Sequence, residues 1–222
     1  MPTRLALFDL DNTLLAGDSD HAWGEFLITE NLVDGETHRA RNDQFYADYE
    51  KGELDIHAYV RFTLDPILAC SAAEREQLHD RFMRQSVLPM MQEKATALVG
   101  KHRRQGDHCL IITATNAFIT APIAQALGVD TLLATELEVL DGKLTGRIAG
   151  TPCYQEGKVA KLQQWIAAQD TDFSMDDACF YSDSINDLPL LERVAEPVAV
   201  DPDARLADVA RARNWPCISL RS

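Results

Sequence analysis

The sequence predicts an α/β protein: a doubly wound parallel sheet carrying an inserted helical subdomain. Three observations lead there. Short apolar runs rich in Val, Ile and Leu alternate with stretches of helical spacing, the pattern of buried parallel strands joined by crossover helices. Carboxylates follow directly on two of those runs, at the strand ends where open α/β sheets bind ligands. Between the first and second runs, about 80 residues show helical spacing and no convincing strand.

In chain order, strands are expected at Leu5 to Leu10, Cys109 to Thr113, Thr131 to Ala134, Ala178 to Ser182 and Pro197 to Val200. Helices are expected at about Met91 to Gln105, Ala117 to Leu127, Gly157 to Ala168, Leu188 to Val194 and Ala204 to Arg213. Gly106 and Gly128 stand just past two of them, where a left-handed cap is wanted. In the inserted stretch Trp23, Phe26 and Leu27, then Phe45, Tyr46 and Tyr49, then Tyr59, Phe62 and Thr63 recur at helical spacing. Ser71-Ala72-Ala73-Glu74 has the capping-box form, and Asp65-Pro66 should interrupt a helix. Glu138 to Leu144 reads as a hairpin on an Asp-Gly turn, a small appendage to the core. The domain reading is a catalytic core from 1–15 and 89–222, with a helical insertion at 16–88 packed over the end of the first strand.

Composition excludes several function classes. A net charge of -14 disfavours polyanionic partners, so neither nucleic acid nor an anionic membrane surface is expected. With 46% hydrophobic residues and no low-complexity tract the chain can bury a sizeable core. The apolar run at Leu5 to Phe8 is too short and too quickly acidic for a signal peptide, and no stretch is long enough to span a membrane. Cys70, Cys109, Cys153, Cys179 and Cys217 are odd in number and widely spaced, without a C-x-x-C pair, which points to a reducing cytoplasm. The six histidines form no spaced ligand set, and Trp23, Trp165 and Trp215 read as packing residues. His21 lies just after the first acidic loop. Oligomeric state is not encoded in any of these features.

The chemistry-bearing residues come in four places. Phe8-Asp9-Leu10-Asp11-Asn12-Thr13-Leu14 puts two carboxylates two residues apart at the end of an apolar strand, where mutual repulsion makes sense if a cation or proton-transfer task holds them. Ser182-Asp183-Ser184-Ile185-Asn186-Asp187 follows another strand and offers two further hard oxygen donors of the kind that suit Mg2+. Thr113, in Thr113-Ala114-Thr115-Asn116, is a hydroxyl after the second strand, and Lys158 stands at a helix start. Both types bind phosphoryl oxygens.

In that order the four motifs resemble those of the haloacid dehalogenase-like hydrolases over nearly the full chain. The insertion after the first motif, together with Tyr181 to Leu191, is most similar to the branch containing phosphoserine and histidinol-phosphate phosphatases. Two departures stand out: phosphoserine phosphatases usually carry Ser-Gly-Gly where this chain has Thr113-Ala114-Thr115, and Gly-Asp-Gly where it has Ser182-Asp183-Ser184.

The resemblance implies a Mg2+-dependent phosphomonoesterase acting on a small-molecule phosphate ester. It casts Asp9 as nucleophile and Asp11 as general acid and base. Lys158, Thr113, Ala114 and Asn186 become phosphate-contacting positions. Mg2+ is expected on the Asp9 carboxylate, the Asp11 backbone carbonyl and Asp183, with Asp187 as ligand or support. A phosphomutase would use the same Asp pair, and a non-catalytic regulatory protein would show an eroded motif, of which there is none. In phosphoserine phosphatases an acid just after the first motif meets the substrate amine, and Asp18 lies at a similar distance from Asp9. Asp18-Ser19-Asp20 is also a helix-capping sequence. If Asp18 serves the amine, the site should favour phosphate esters bearing one, such as histidinol phosphate or phosphoserine, over sugar phosphates.

Overall fold

The structure, a computed structural model, describes residues 4–221. The first strand, β1 (Leu5–Phe8), is wholly buried, as a central parallel strand covered on both faces must be. The chain then runs through a tight turn into α1 (Ser19–Thr29), α2 (Gly35–Lys51), α3 (Ile56–Leu64), α4 (Ala72–Phe82) and the short α5 (Leu88–Met90). Next come α6 (Glu93–Gln105), β2 (His108–Asn116), α7 (Ala117–Leu127) and β3 (Thr131–Thr135). The hairpin β4 (Leu137–Leu140) and β5 (Lys143–Ile148) precedes α8 (Glu156–Ala167), β6 (Cys179–Ser182), α9 (Leu188–Leu191), β7 (Glu196–Val200), α10 (Ala204–Arg213) and β8 (Cys217–Ile218).

Six strands form one parallel sheet in the order β3-β2-β1-β6-β7-β8. The chain winds outward from β1 through β2 to β3, then returns to the other side of β1 at β6. That reversal makes the C-terminal ends of β1 and β6 a topological switch point, the ordinary ligand crevice of such sheets. Alternate side chains of β1 enter opposite layers: Leu5 and Leu7 pack with Leu110, Phe180 and Leu162, while Ala6 and Phe8 pack with residues of the helical insertion. Trp23 of α1 is completely buried, meets Phe82 of α4 and Phe118 of α7 edge-on, and donates its indole N–H to the Thr63 carbonyl of α3. One continuous apolar cluster therefore joins insertion and sheet.

Local expectations fare well where a residue has a mechanical reason. Gly106 and Gly128 adopt left-handed caps, Ser71 and Glu74 form the reciprocal capping box, and α3 stops at Leu64, before Asp65-Pro66. Asp141 and Gly142 both have positive φ, the turn that matches strand twist in a two-residue hairpin. The hairpin is more than an appendage, since β5 packs along α3, with Leu68 beside Gly146. Strand β1 ends at Phe8 rather than Leu10, because Asn12 takes a left-handed conformation and turns the chain. The two-residue β8 carries too little pattern to be seen in sequence. Among the described residues no helix is long and apolar enough to cross a membrane, and all five cysteines are unpaired.

Candidate active site

Asp9 is the first residue past β1, and its amide still donates to the Tyr181 carbonyl of β6 at 2.9 Å, so its side chain emerges at the switch point. The following turn, Leu10–Leu14, is closed by Leu15 N–H on the Leu10 carbonyl at 3.0 Å. Asn12 holds φ at 56°, a left-handed conformation that Asn tolerates better than most residues. The turn brings Asp9, Asp11 and Thr13 into one buried crevice.

Lys158 lies in the first turn of α8 and is 1% exposed. Its Nζ donates to Asp9 Oδ1 at 2.8 Å and reaches both Asp187 oxygens, at 2.7 and 2.8 Å. Burial opposes the charge on Lys158, but the Asp187 and Asp9 carboxylates outweigh it and leave the ammonium harder to deprotonate than usual. Ser182 donates to Asp187 Oδ2 at 2.7 Å. Burial nevertheless pushes the Asp187 pKa up to about 6, with Lys158 opposing and the Asp9 charge adding to the rise. The helix start is fixed by Gly157, where a Cβ would fall 2.0 Å from the Pro152 carbonyl oxygen. Only glycine lets α8 begin close enough for Lys158 to reach the sheet.

Thr13 links the other two carboxylates. Its hydroxyl lies 3.1 Å from Asp9 Oδ2 and 2.9 Å from Asp183 Oδ1, and it accepts the Asp183 amide at 3.0 Å. A single hydroxyl proton can serve only one of the two carboxylates at a time. Burial and the Asp9 charge push the Asp183 pKa well above the usual carboxylate range. Among the described residues no Lys, Arg or His forms an ion pair with Asp183. Among the described residues no group of three or more His, Cys, Asp or Glu side chains converges as a ready-made cage. Asp9 and Asp183, both within reach of the Thr13 hydroxyl and with Asp183 lacking a cation, nonetheless match Mg2+, which takes one or two carboxylates and completes its shell with water and substrate phosphate. Asp187, engaged by Lys158 and Ser182, is placed as a support for Lys158.

Asp11 is held apart from this pair. Its Oδ1 accepts the Ser19 amide at 2.6 Å and its Oδ2 accepts the Thr115 hydroxyl at 2.8 Å. Burial, helped by the Asp18 charge and opposed by those hydrogen bonds, lifts its pKa to about 6. That value suits a group required to give and take a proton near neutrality.

The remaining expected residues divide. Thr113 and Ala114 line the crevice beside Asp9, and the Thr113 hydroxyl accepts the Thr115 amide at 3.2 Å. Asn186 gives its amide to the Tyr49 carbonyl of α2 at 2.8 Å, where Gln155 and Arg205 also bind backbone carbonyls of Gly52, Glu50 and Lys51. These three side chains tie the end of α2 to the core. Asp18 both caps α1, accepting the His21 amide at 2.8 Å, and lines the crevice. His21 pairs with Asp43 at 2.8 Å. The sequence reading quoted Thr13 within its motif without giving it a task, and missed Thr115, Ser19 and Ser182. Period-two spacing puts Thr115 on Thr113's face only because β2 continues past Thr113 to Asn116. The crevice, roofed by Tyr46, Tyr49 and Tyr59 of the insertion, has a volume of about 30 Å3, room for about two water molecules.

The family model for haloacid dehalogenase-like hydrolases matches residues 6–192, which include Asp9, Asp11, Thr113, Lys158, Asp183 and Asp187. The chain belongs to the haloacid dehalogenase-like hydrolases. Relatives of this hydrolase include the histidinol-phosphatase of Neisseria meningitidis serogroup C, 44% identical over 220 residues that cover 98% of this chain and 99% of that one. A crystal structure of a protein of unknown function from Bordetella pertussis Tohama I is 44% identical, covers all of both chains and superposes with a TM-score of 0.91. A substrate-bound phosphoserine phosphatase superposes with a TM-score of 0.71 over 98% of this chain and 93% of its own, at 18% identity, a likeness of fold. This hydrolase is an enzyme of the phosphatase class.

Proposed function

We propose that the chain is a Mg2+-dependent phosphomonoesterase that removes the phosphoryl group of a small, amine-bearing phosphate ester through an aspartyl-phosphate on Asp9. The observation that carries this reading is the division of labour between two neighbouring carboxylates. Asp9 is paired with a buried Lys158, whereas Asp11 is held by one amide and one hydroxyl with its pKa lifted to about 6. An Asp9 oxygen bonds to phosphorus as the ester P–O bond breaks, and Asp11 gives its proton to the departing alkoxide. Asp11 then takes a proton from water, whose oxygen bonds to phosphorus as the P–O bond to Asp9 breaks. Phosphate leaves, with the Asp9 carboxylate restored and Asp11 again protonated.

Lys158 donates to Asp9 and presents a fixed cation to the phosphoryl oxygens, and Thr113 and Ala114 flank them on β2. Asp9, Asp183 and the Asp11 carbonyl would hold Mg2+, which when bound supplies positive charge against the phosphoryl group. Insertion residues form the roof and therefore act as a cap over the reaction. The roof over the crevice shelters the phosphoryl site, and the Asp9 and Asp11 pair is the same pair that a phosphomutase would use. The amine preference is supported by Asp18 in the lining and by the full-length likeness to the Neisseria histidinol-phosphatase.

The test is phosphate release from an aryl phosphate and from a panel of phosphorylated metabolites. Activity should vanish in chelator, return with Mg2+ and return poorly with Ca2+, whose larger shell misplaces the phosphoryl group. Asp9→Asn should abolish turnover while melting no lower than the parent chain. Full activity in chelator, or from the Asp9→Asn variant, would overturn the mechanism.

A further inference from the structure

The roof of the crevice contains a carboxylate that the proposed chemistry does not use. Asp20, in the first turn of α1, is 4% exposed, and its Oδ1 has no hydrogen-bond partner. It lines the same crevice as Asp9 and Asp11, together with Asp18 and the rings of Phe45, Tyr46, Tyr49 and Tyr59. A buried oxygen without a partner carries its full desolvation cost and is rare in folded proteins. Burial, then the charges of Asp18 and Asp11, pushes the Asp20 pKa well above the usual carboxylate range. Aromatic rings and a carboxylate lacking a counter-charge are together the elements of a cation-binding pocket.

We infer that Asp20, which lines the crevice together with Tyr46, Tyr49 and Tyr59, is the counter-charge of a subsite for an organic cation that carries no carboxylate beside it. The inference rests on the phosphatase reading above and specifies which amine-bearing esters that site takes. An ammonium or imidazolium group entering the crevice meets a lining that contains Asp20, Asp18 and aromatic rings. The described lining contains no Lys, Arg or His. Arg41 packs over Phe45 at 5.5 Å but lies outside the lining. A substrate carboxylate would find only like charges there, so an amino alcohol phosphate is accepted and an amino acid phosphate is disfavoured.

The assignment differs from the expectation for Asp18, one of whose oxygens is already taken by the His21 amide. Asp18 caps the helix that delivers Asp20.

The experiment compares four substrates with wild type and Asp20→Asn: histidinol phosphate, phosphoethanolamine, phosphoserine and p-nitrophenyl phosphate. Wild type should prefer the first two over phosphoserine in kcat/KM. Asp20→Asn should raise KM for histidinol phosphate at least about tenfold with little change in kcat, and should leave p-nitrophenyl phosphate unaffected. Free histidinol should inhibit aryl phosphate hydrolysis competitively in wild type and lose that effect in the variant. The variant should melt no lower, because Asn replaces a buried carboxylate without changing shape. If wild type prefers esters that carry no cation, the amine reading itself fails and the subsite with it. If wild type prefers the amino alcohol ester and Asp20→Asn keeps both that preference and the histidinol inhibition, the subsite alone is overturned. An equal loss on all four substrates would make Asp20 a structural acid and would equally overturn it.

Discussion

The carboxylates supplied by the ends of the sheet strands and those supplied by the start of α1 are held in opposite ways. Asp9, Asp183 and Asp187 are each matched to a fixed partner, Lys158, Thr13 or Ser182, contributed by another sheet strand, its turn or a crossover helix. Asp20 has an oxygen with no partner at all, and Asp18 is satisfied only by the helix it caps. Groups that meet the same chemistry in every turnover can be built into the rigid layer, where packing holds their geometry. Groups that meet the variable part of a substrate lie on the insertion, and their missing partner is the substrate itself. Asp11 stands between the two regions, with one oxygen on Thr115 of the sheet and the other on Ser19 of α1. The general acid of the proposed mechanism is thus oriented only while the insertion is seated.

The comparison can be broken most severely at Lys158. Lys158→Met leaves Asp9 and Asp187 buried without their cation, which should cost about 3–5 kcal/mol of stability in denaturant unfolding. Turnover should fall on the order of 10³. Adding Asp187→Asn should recover part of the stability and none of the activity. A Lys158→Met chain that unfolds like wild type would show that the sheet carboxylates do not depend on it.

Asp11→Asn should lower turnover of alkyl phosphates on the order of 10²–10⁴, and of aryl phosphates less, since a good leaving group needs little protonation. Its effect on stability has the opposite sign. The folded pKa of about 6 lies above the ordinary 3.8, so ionised Asp11 weakens the fold, and this loss sets in as pH rises from about 4 through about 6. In chelator, Asp11→Asn should therefore match wild type near pH 4 and exceed it on the order of 3 kcal/mol at pH 7. Identical stability profiles would remove the claim that the protein strains this residue for its task.

The smallest effect is expected at Asp18. Asp18→Asn keeps a helix cap, and should raise KM for an amine-bearing ester a few-fold while leaving an uncharged aryl phosphate unchanged. A fall in both activities would place Asp18 with the sheet carboxylates rather than with the insertion.

Much of this site was legible before any coordinates. Paired acids after buried strands named Asp9, Asp11, Asp183 and Asp187, because a strand end in a parallel sheet is one of the few places where such acids converge. Lys158 could be named from its order in the chain, although nothing in the sequence states that it touches both Asp9 and Asp187. Thr115 was hidden because β2 runs three residues beyond its expected end at Thr113, keeping Thr115 in the strand and turned to Asp11. Asn186 read as a phosphate contact, and the sequence did not state that its amide also holds the end of α2, a contact 137 residues away. The hairpin could be read from its Asp-Gly turn, whereas its seat against α3 could not, since a two-stranded ribbon does not encode what it leans on.

The sequence by itself determined the alternation of strands and helices, the helical character of the insertion and the acids at two strand ends. All of these follow from local periodicity and turn chemistry. Tertiary structure decided which carboxylates are paired and which is left alone. Asp18 and Asp20 are two residues apart with the same functional group, and either could have been a solvated acid at a helix start. The packing of α1 against α2 and α3 buries Asp20 in a crevice that three tyrosines also line, and leaves Asp18 as the cap. Burial is a property of the assembled layers, and no neighbourhood of a few residues can state it.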